Sequence, residues 1–281
     1  MIKNKIITEN YIINKYLRKL NFNKIESFDF KNDAAFFKVP KNKQLIITND
    51  TILQEVDFFK NDPPESIATK IITYNLSDIS AMGAYPYCYS LSLCLPSNID
   101  DIWLRKFSMK LLNLQKKYNF FLIGGDLSKS SKIIISSNLF GLVPKNKIIH
   151  RKGAKRNDDI WITGNIGESS IGLIIKQKKI KIDNDNKKYY INKYLFPEHC
   201  SIGYKINNLA TSAIDISDGF YGDLENLLNE SKLGASLKSI FLPFSNKTKK
   251  LIQKNIVDIN FLLKSGDDYQ LLFTANSKNS L

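Results

Sequence analysis

The chain has 281 residues, a length that predicts two modest domains or one large one. Its 43% hydrophobic and 24% charged residues lie in the range of globular proteins, and they exclude a disordered, collagen-like or coiled-coil chain. The 41 lysine and arginine residues against 27 acidic ones give a formal net charge of +14, a value that raises the question of nucleic-acid binding.

The kind of basic residue argues against nucleic acid as the partner. Four of the basic residues are arginine, the usual reader of phosphates and base edges, and the rest are lysine spread over every segment together with abundant Asn and Ile. This pattern indicates a codon-composition bias. We therefore expect the charge to attract a small anionic substrate.

Two further features bear on the compartment. No apolar run approaches the roughly 18 residues that a membrane span needs, and the N terminus lacks the uninterrupted apolar segment of a signal peptide. The three cysteines Cys88, Cys94 and Cys200 form no CxxC pair, which predicts buried thiols and neither a disulfide nor a zinc framework. We expect a cytoplasmic protein without a membrane partner.

The first half of the chain predicts a mixed α/β domain that ends at residue 144. Apolar residues at helical spacing predict an amphipathic helix over 8–22 with Thr8 as its N-cap. The predicted elements that follow are strands at 34–39 and 45–48 around a turn at 40–43, a helix that starts after Pro63 and Pro64 and runs toward Met82, a strand at 87–95, a helix at 100–118, and strands at 120–123 and 132–143.

The second half, residues 145–281, also mixes helices and strands, and no tandem repeat is present. The predicted elements are a strand at 159–163, a helix at 167–177, a solvated loop at 178–188, a helix at 198–212, a further helix to Glu230, and strands at 235–240 and 269–274.

Aspartates stand where a solvated surface charge is not expected, at the ends of apolar strands or inside an apolar helix. They are Asp33, Asp50, Asp57, Asp78, Asp126, Asp215, Asp218, Asp267 and Asp268. Short carboxylates of this kind suit Mg²⁺, which demands near-octahedral oxygen ligands. The structural alternatives are a turn role for Asp126 after two glycines, an Asx turn at Asp215 and a helix N-cap at Asp218.

The sequence lacks the residues that other nucleotide-binding motifs, histidine metal sites and nucleophilic catalysis require. The chain contains neither GxxxxGK[ST] nor GxGxxG, and its two histidines, His150 and His199, are too few for a histidine metal cluster or a Ser-His-Asp relay. Backbone amides at strand-to-turn junctions could take phosphate oxygens, and the candidates are Gly124, Gly125, Gly164 and Gly167. Packing is the favoured interpretation of the GNIGESS turn.

Five co-linear motifs resemble the thiamine-monophosphate kinase family. They are NLSDISAMGA at 75–84, LIGGDLSKS at 122–130, RKGA at 151–154, AIDISDG at 213–219 and SGDDYQLLFT at 265–274. The resemblance implies an α/β (α+β) fold of two domains like that of aminoimidazole ribonucleotide synthetase. Residues 1–144 would form an N-terminal mixed sheet with helices for ATP and Mg²⁺ binding and dimerisation, and residues 145–281 a C-terminal α/β domain that is cut short.

The same resemblance implies the roles of particular residues. Mg²⁺ ligands are implied at Asp33, Thr48, Asn49, Asp50, Asp78, Asp126, Asp215 and Asp218. ATP contacts are implied at Gly125, Asp126, Arg151 and Ser217, and thiamine monophosphate contacts at Asp57 and Asp267. The implied reaction is direct in-line attack of the substrate phosphate on the γ-phosphorus of ATP, with several Mg²⁺ ions, no protein nucleophile and a homodimeric enzyme.

This chain departs from the family pattern in three places. Lys31 and Asn32 precede Asp33 where the family has a glycine and an acidic residue, and Ser265 and Asp267 stand where it has glycine and usually glutamate. The chain also stops at Leu281, where family members continue. The alternative functions are another ATP-using member of the superfamily, a catalytically silent ATP-binding homologue, and a basic nucleic-acid binder.

Overall fold

A computed structural model of the chain describes residues 7–279. The chain divides into two compact units. The first unit contains the residues up to Asn75 and Pro86–Leu142, and the second contains Leu76–Tyr85 and the chain from Val143 onward. The boundary after Asn75 falls inside the helix Pro64–Ala81, so Asp78 belongs to the second unit.

The first unit begins with a helical run of mixed type. An α-helix, α1 (Glu9–Ile12), continues as a π-helical turn and then as a 3₁₀ turn that ends at Asn21. The Thr8 hydroxyl accepts the Tyr11 N–H at 3.3 Å, and Phe22 ends the run in the left-handed region at φ 51°. The predicted helix and its cap are confirmed, although the run is not one regular α-helix. A 3₁₀ segment, Ile25–Phe30, follows.

A four-stranded sheet and two long helices form the rest of this region. The elements are β1 (Lys43–Leu53), α2 (Pro64–Ala81), β2 (Tyr85–Leu95), α3 (Asp101–Tyr118), β3 (Phe121–Lys129) and β4 (Ile134–Pro144). The strand order is β1-β4-β2-β3, and β2 pairs with β3 in parallel. These elements match the predicted ones except that β1 and β3 continue well beyond their predicted ends.

Local chemistry explains where α3 begins and ends. The Asp100 carboxylate accepts the Trp103 N–H at 2.5 Å, and Asn119 ends the helix in the left-handed conformation at φ 57°. Between these caps Leu104, Phe107 and Leu111 are buried along one face. Sequence signals of this strength predict the element and both of its ends.

The strand predicted at 34–39 is not formed. The turn that follows is present, with the Lys43 N–H donating to the Pro40 carbonyl at 2.9 Å, but the preceding residues have no ladder partner. Phe37 instead packs its ring against Tyr87 and Phe140, with centroids 6.3 and 5.3 Å away. Only Phe37 and Val39 of this run are half-buried and the other four residues are exposed, so the apolar run identified neither a buried face nor a paired strand.

The second unit is built on a three-stranded antiparallel sheet in the order β5-β7-β6. Its elements are β5 (Asp158–Ile162), α4 (Glu168–Lys176), α5 (Asn184–Leu195), α6 (Gly203–Ile206), β6 (Ala210–Ile216), α7 (Phe220–Glu230), α8 (Asn246–Gln253), α9 (Ile259–Lys264) and β7 (Gln270–Asn276), with 3₁₀ turns at Ser239–Phe241 and Ser277–Asn279.

Four elements of this unit, β5, α4, α7 and β7, are confirmed, and three predictions are wrong. The predicted loop at 178–188 is half helix, because Asp183 caps α5 by accepting the Asn186 N–H at 3.0 Å. The helix predicted at 198–212 is reduced to α6, since β6 already begins at Ala210. Residues 235–240 have no strand partner, and α8 and α9 were not predicted.

The core of the second unit lies between the sheet and the helices. Ile214 and Ile216 of β6, Leu272 of β7 and the α7 side chains Phe220 and Leu227 are all at most 2% exposed and share one apolar cluster. Burial of each such side chain stabilises the unit by about 1.5–3 kcal/mol. The turn between β6 and α7 is thereby held on a rigid support.

The structure also bears on the predictions about membrane-spanning helices and about the cysteines. Within residues 7–279, no helix combines the length and apolarity that a bilayer crossing requires. All three cysteines are free thiols; Cys88 is fully buried, as predicted, whereas Cys94 and Cys200 are half-buried. Burial raises the pKa of the Cys88 thiol to about 12, so this thiol is unreactive at neutral pH.

Candidate functional site

In the first unit, the glycine pair and Asp126 lie inside β3 and not in a turn. A Cβ on Gly125 would overlap the Leu91 carbonyl oxygen of the paired strand, so this position requires glycine, whereas a Cβ on Gly124 would meet open space. The Ser128 hydroxyl donates to the Asp126 carboxylate at 3.0 Å. The turn alternative for Asp126 is therefore wrong, and so is the strand-end location of Gly124 and Gly125.

A cleft of about 320 Å³ joins two of the predicted metal ligands. Asp33 and Asp126 both line it, together with Gly124 and Gly125. Both carboxylates are exposed, and apolar side chains such as Leu17 line other parts of the cleft. The cleft thus combines a carboxylate edge with an apolar surface.

Thr48, Asn49 and Asp50 lie inside β1, which continues to Leu53, so the predicted strand end at Asp50 is wrong. Successive strand residues face opposite sides, which places Thr48 and Asp50 on one face and Asn49 on the other. The Asn49 side-chain amide donates to the Asn138 side-chain oxygen at 2.9 Å. The Asn49 side chain is consequently fixed against β4 by its nitrogen, and this hydrogen bond does not use its side-chain oxygen or its backbone carbonyl.

Asp57 lies in a tight turn directly after β1. Its carboxylate accepts the Leu53 N–H at 2.7 Å, and its own N–H donates to the Leu53 carbonyl at 2.9 Å. The fully buried Lys70 donates its ammonium to the Asp57 carbonyl at 2.9 Å. A buried lysine needs such partners, and here they fix the backbone that carries the half-buried Asp57 side chain.

In the second unit, Asp215 at the end of β6 is 6% exposed and interacts with Asp78 of α2. The Ser77 hydroxyl donates to the Asp215 carboxylate at 2.6 Å. Burial, and then the like charge of Asp78, raises the pKa of Asp215 to about 6, while Ser77 and Arg151 oppose the rise. Three predicted site residues, Asp78, Arg151 and Asp215, are therefore electrostatically linked.

The turn after β6 carries Ser217, half-buried, and Asp218, exposed. The backbone N–H groups of Ser217, Asp218 and Gly219 all donate to one oxygen of Asp223, at 3.0, 3.0 and 3.2 Å. Asp223 is absent from the sequence-based set of site residues. A signal exists, because Asp223 stands between Phe220 and Leu227 at the spacing of the buried face of α7.

The predicted substrate residue Asp267 lies against the same turn. Its N–H donates to the Ser217 carbonyl at 2.9 Å, and a Cβ on the preceding Gly266 would overlap that carbonyl oxygen. Asp267 adopts φ 70°, and the Tyr269 hydroxyl donates to its carboxylate at 3.0 Å. Ser217, Asp218 and Asp267, predicted from two motifs, are brought together.

Asp268 has a different role from its neighbour. Its buried carboxylate accepts the N–H groups of Gly167 and Ser169 at the start of α4, at 2.5 and 3.4 Å. Burial raises the pKa of Asp268 to about 7, although these amides oppose the rise. The Gly167 amide is thus occupied by a carboxylate, so the phosphate role predicted for it is wrong and the packing interpretation of GNIGESS is supported.

The donors available to a metal are carboxylate and hydroxyl oxygens. Within residues 7–279, no group of three or more His, Cys, Asp and Glu side chains is close enough to hold an ion. Mg²⁺ ordinarily uses one or two protein carboxylates and completes its shell with water and substrate phosphates. The pairs Asp33 with Asp126 and Asp78 with Asp215 fit that requirement, and they do not fit a structural zinc site.

Comparison with known proteins agrees with these motifs. Residues 31–143 match the family model "AIR synthase related protein, N-terminal domain". The chain is 39% identical over 280 residues to a thiamine-monophosphate kinase of Buchnera aphidicola subsp. Acyrthosiphon pisum, a match that covers 97% of this chain and 84% of the relative. It is 32% identical over 271 residues to that of Escherichia coli K12, covering 95% and 82%.

Solved structures give the same result for the fold. The thiamine-monophosphate kinase of Stenotrophomonas maltophilia K279a superposes with a TM-score of 0.81 at 29% identity, covering 89% of this chain and 80% of the other. The complex described as AaThiL with AMPPCP and TMP superposes with a TM-score of 0.79 at 30% identity, covering 86% and 78%. The predicted fold class is confirmed, and the chain belongs to the thiamine-monophosphate kinase family.

Proposed function

We propose that this chain catalyses the ATP-dependent phosphorylation of thiamine monophosphate to thiamine diphosphate. The observation that carries the proposal is the 39% identity over 280 residues to a thiamine-monophosphate kinase. The related complex with AMPPCP, a non-hydrolysable analogue of ATP, and TMP supports both substrates. The motif order and the absence of a P-loop in the chain agree with this reaction.

ATP binds through Gly125, Asp126, Arg151 and Ser217. Gly125 keeps the β3 backbone flat against β2, which leaves the Asp126 side chain exposed at the cleft. Arg151 is exposed and carries a charge that suits phosphate oxygens. The apolar part of the cleft suits the flat nucleobase of ATP.

Mg²⁺ is the implied metal, and its residues are Asp33, Thr48, Asn49, Asp50, Asp78, Asp126, Asp215 and Asp218. When bound, Mg²⁺ neutralises phosphate oxygens that would otherwise repel one another by several kcal/mol at about 4 Å. The Thr48 and Asp50 side chains share one face of β1. Asn49 therefore binds Mg²⁺ either with its side-chain oxygen on the opposite face or with its backbone carbonyl oxygen. Ser77 orients the Asp215 carboxylate for this task.

Thiamine monophosphate binds through Asp57 and Asp267. Both side chains are half-buried, and both backbones are fixed by hydrogen bonds, from Lys70 in one case and to Ser217 in the other. A fixed carboxylate suits the cationic thiazolium ring of this substrate.

The reaction is a direct in-line transfer. The attacking phosphate oxygen of thiamine monophosphate is already ionised at neutral pH, so no protein base or nucleophile is required. Phosphoryl transfer depends mainly on positioning and charge stabilisation, which are the tasks that clustered carboxylates and Arg151 perform. The scarcity of histidine in the chain is compatible with this chemistry.

The enzyme is a cytoplasmic homodimer that associates through strands of its first unit. β1 lies at one end of the strand order, and its Ile47 and Leu53 side chains are 59% and 37% exposed. An 11-residue edge strand with exposed apolar residues is a surface that proteins normally cover. Analytical ultracentrifugation of the wild type and of Ile47→Lys tests this assignment, and a monomeric wild type contradicts it.

Product analysis tests the activity. The protein is incubated with Mg-ATP and with thiamine monophosphate, thiamine or aminoimidazole-type acceptors, and the products are identified by mass spectrometry. We expect ADP and thiamine diphosphate with thiamine monophosphate alone. Turnover only with a different acceptor contradicts the proposal. Binding of Mg-ATP without any thiamine diphosphate establishes a silent homologue.

A further inference from the structure

The turn between β6 and α7 depends on one buried carboxylate. A single Asp223 oxygen accepts three consecutive backbone N–H groups, those of Ser217, Asp218 and Gly219, within 3.0–3.2 Å. Asp223 lies in the first turn of α7 and is 2% exposed. The Asp218 side chain in the same turn is exposed to solvent, whereas the Asp223 carboxylate is buried.

This arrangement extends a known way of starting a helix. The first N–H groups of a helix lack partners within it, and in a capping box an acidic side chain of the first turn reaches back to the N-cap N–H. Gly219 provides no side-chain cap for α7, and Asp223 reaches beyond it to two earlier residues. Converging amides form an anion site, and its anion here is the protein's own carboxylate.

The other side of the turn is fixed by the segment before β7. The Ser217 carbonyl accepts the Asp267 N–H at 2.9 Å, and Gly219 at φ 118° packs so closely on Lys264 that a Cβ would overlap that residue's backbone. The amide side of the turn therefore depends on Asp223, and the carbonyl side depends on the segment 264–267. Removal of Asp223 leaves three amides of one turn without their acceptor.

We propose that Asp223 is a positioning residue for the phosphoryl-transfer site. Its carboxylate holds the backbone conformation that presents the Ser217 and Asp218 side chains to Mg²⁺ and ATP, and it binds neither ligand itself. Because it accepts the N–H groups of Ser217, Asp218 and Gly219, these three backbone donors are not available to the ligands. The inference rests on the proposed function and deepens it.

Three substitutions at this position test the inference. Asp223→Ala removes the acceptor, Asp223→Asn keeps one oxygen in place, and Asp223→Glu keeps the charge but moves the oxygens by one methylene. The matched control is Asp183→Ala, which removes the capping carboxylate of α5, a helix with no assigned ligand. Mg²⁺ binding in the presence of AMPPCP is measured by calorimetry, and KM for Mg-ATP and kcat are measured separately.

We expect Asp223→Ala and Asp223→Glu to weaken Mg²⁺ binding by about tenfold or more, the scale on which residues that orient metal ligands act. Asp223→Asn should bind Mg²⁺ within about threefold of the wild type, since its side-chain oxygen can still accept the three backbone N–H groups. Asp183→Ala should melt earlier and bind Mg²⁺ like the wild type. If Asp223→Ala does not fold, Asp223→Glu and Asp223→Asn still separate the outcomes.

Three results overturn the inference. They are wild-type Mg²⁺ affinity in Asp223→Ala or Asp223→Glu, an equal loss in Asp223→Asn and Asp223→Ala, or the same loss in Asp183→Ala. Binding is read without turnover, so its outcome is independent of the product assay. A wild type that binds Mg²⁺ and AMPPCP but forms no thiamine diphosphate contradicts the proposed activity, and a wild type that binds neither contradicts both.

Discussion

Ser77 and Asp215 are joined by a hydrogen bond of 2.6 Å between two buried side chains 138 residues apart in the sequence. Ser77 lies on α2 beside Asp78, and Asp215 lies at the end of β6. This bond connects the NLSDIS and AIDISDG motifs within the second unit. It orients a carboxylate whose pKa is already raised by burial and by the charge of Asp78.

Ser77→Ala should lower the free energy of unfolding by about 1.5–3 kcal/mol, because the buried Asp215 carboxylate loses a charged hydrogen bond. Urea unfolding measures the change. Ser108→Ala is the control, since that buried hydroxyl donates only to the Arg105 carbonyl of its own helix, at 3.1 Å, and should cost less than about 1 kcal/mol. Equal effects of the two substitutions would contradict the special role of the Ser77 bond.

Gly125→Ala should destabilise the first unit by about 1–3 kcal/mol or prevent its folding, because the new Cβ would overlap the Leu91 carbonyl oxygen. Gly124→Ala meets open space and should change stability by less than about 1 kcal/mol. Thermal unfolding and the soluble yield of the two variants check this pair. A larger loss at Gly124 than at Gly125 would refute the observed strand register.

The stability of the metal-free protein should fall as pH rises from about 4 to 7. Burial raises the pKa of Asp268 to about 7 from an ordinary 3.8, so in this interval the folded protein holds a proton that the unfolded chain has released. The free energy of unfolding then falls with pH at on the order of 1 kcal/mol per pH unit for this group. Burial also raises the pKa of Asp223 to about 6, with the same sign.

Asp268→Asn isolates this contribution, because it removes the titrating carboxyl but keeps an acceptor for the Gly167 amide. Chemical unfolding at several pH values should give a shallower decline between pH 4 and 7 than in the wild type. Parallel curves for the two proteins would show that Asp268 does not titrate in this range.

Asp78→Asn and Asp126→Asn should each lower kcat by at least about a hundredfold, since each removes a carboxylate that the proposed function assigns to Mg²⁺. The measurement is thiamine diphosphate formation over a range of Mg²⁺ concentrations, with EDTA abolishing it in the wild type. Asp185→Asn, an exposed carboxylate in the first turn of α5, should leave the rate unchanged. Wild-type rates in both site variants would remove these residues from the metal set.

Local signals in the sequence were enough for many elements and for the family. Asp100 and Asn119 define both ends of α3, and the motifs predict the family and fold that the comparisons confirm. Three elements were predicted wrongly. Residues 235–240 are exposed and residues 34–39 are mostly exposed, and neither run pairs as a strand; the helix predicted at 198–212 fails because Ala210–Ile216 pairs with β7. An apolar run identifies neither a backbone partner nor the contacts that would bury it. The assignments of ligands to individual residues stay predictions.

The sequence by itself determined which residue types are present, namely short carboxylates and glycines in a co-linear order with almost no histidine. Only the tertiary structure decided their tasks. Asp268 binds the amides of α4 from about a hundred residues away, Asp223 fills the amide site of its own helix start, and Asp126 and Asp50 lie inside strands. A carboxylate can accept a hydrogen bond from an amide or a hydroxyl, and it can also bind a cation. Its partner therefore depends on which of these groups the packing of the chain brings within about 3 Å.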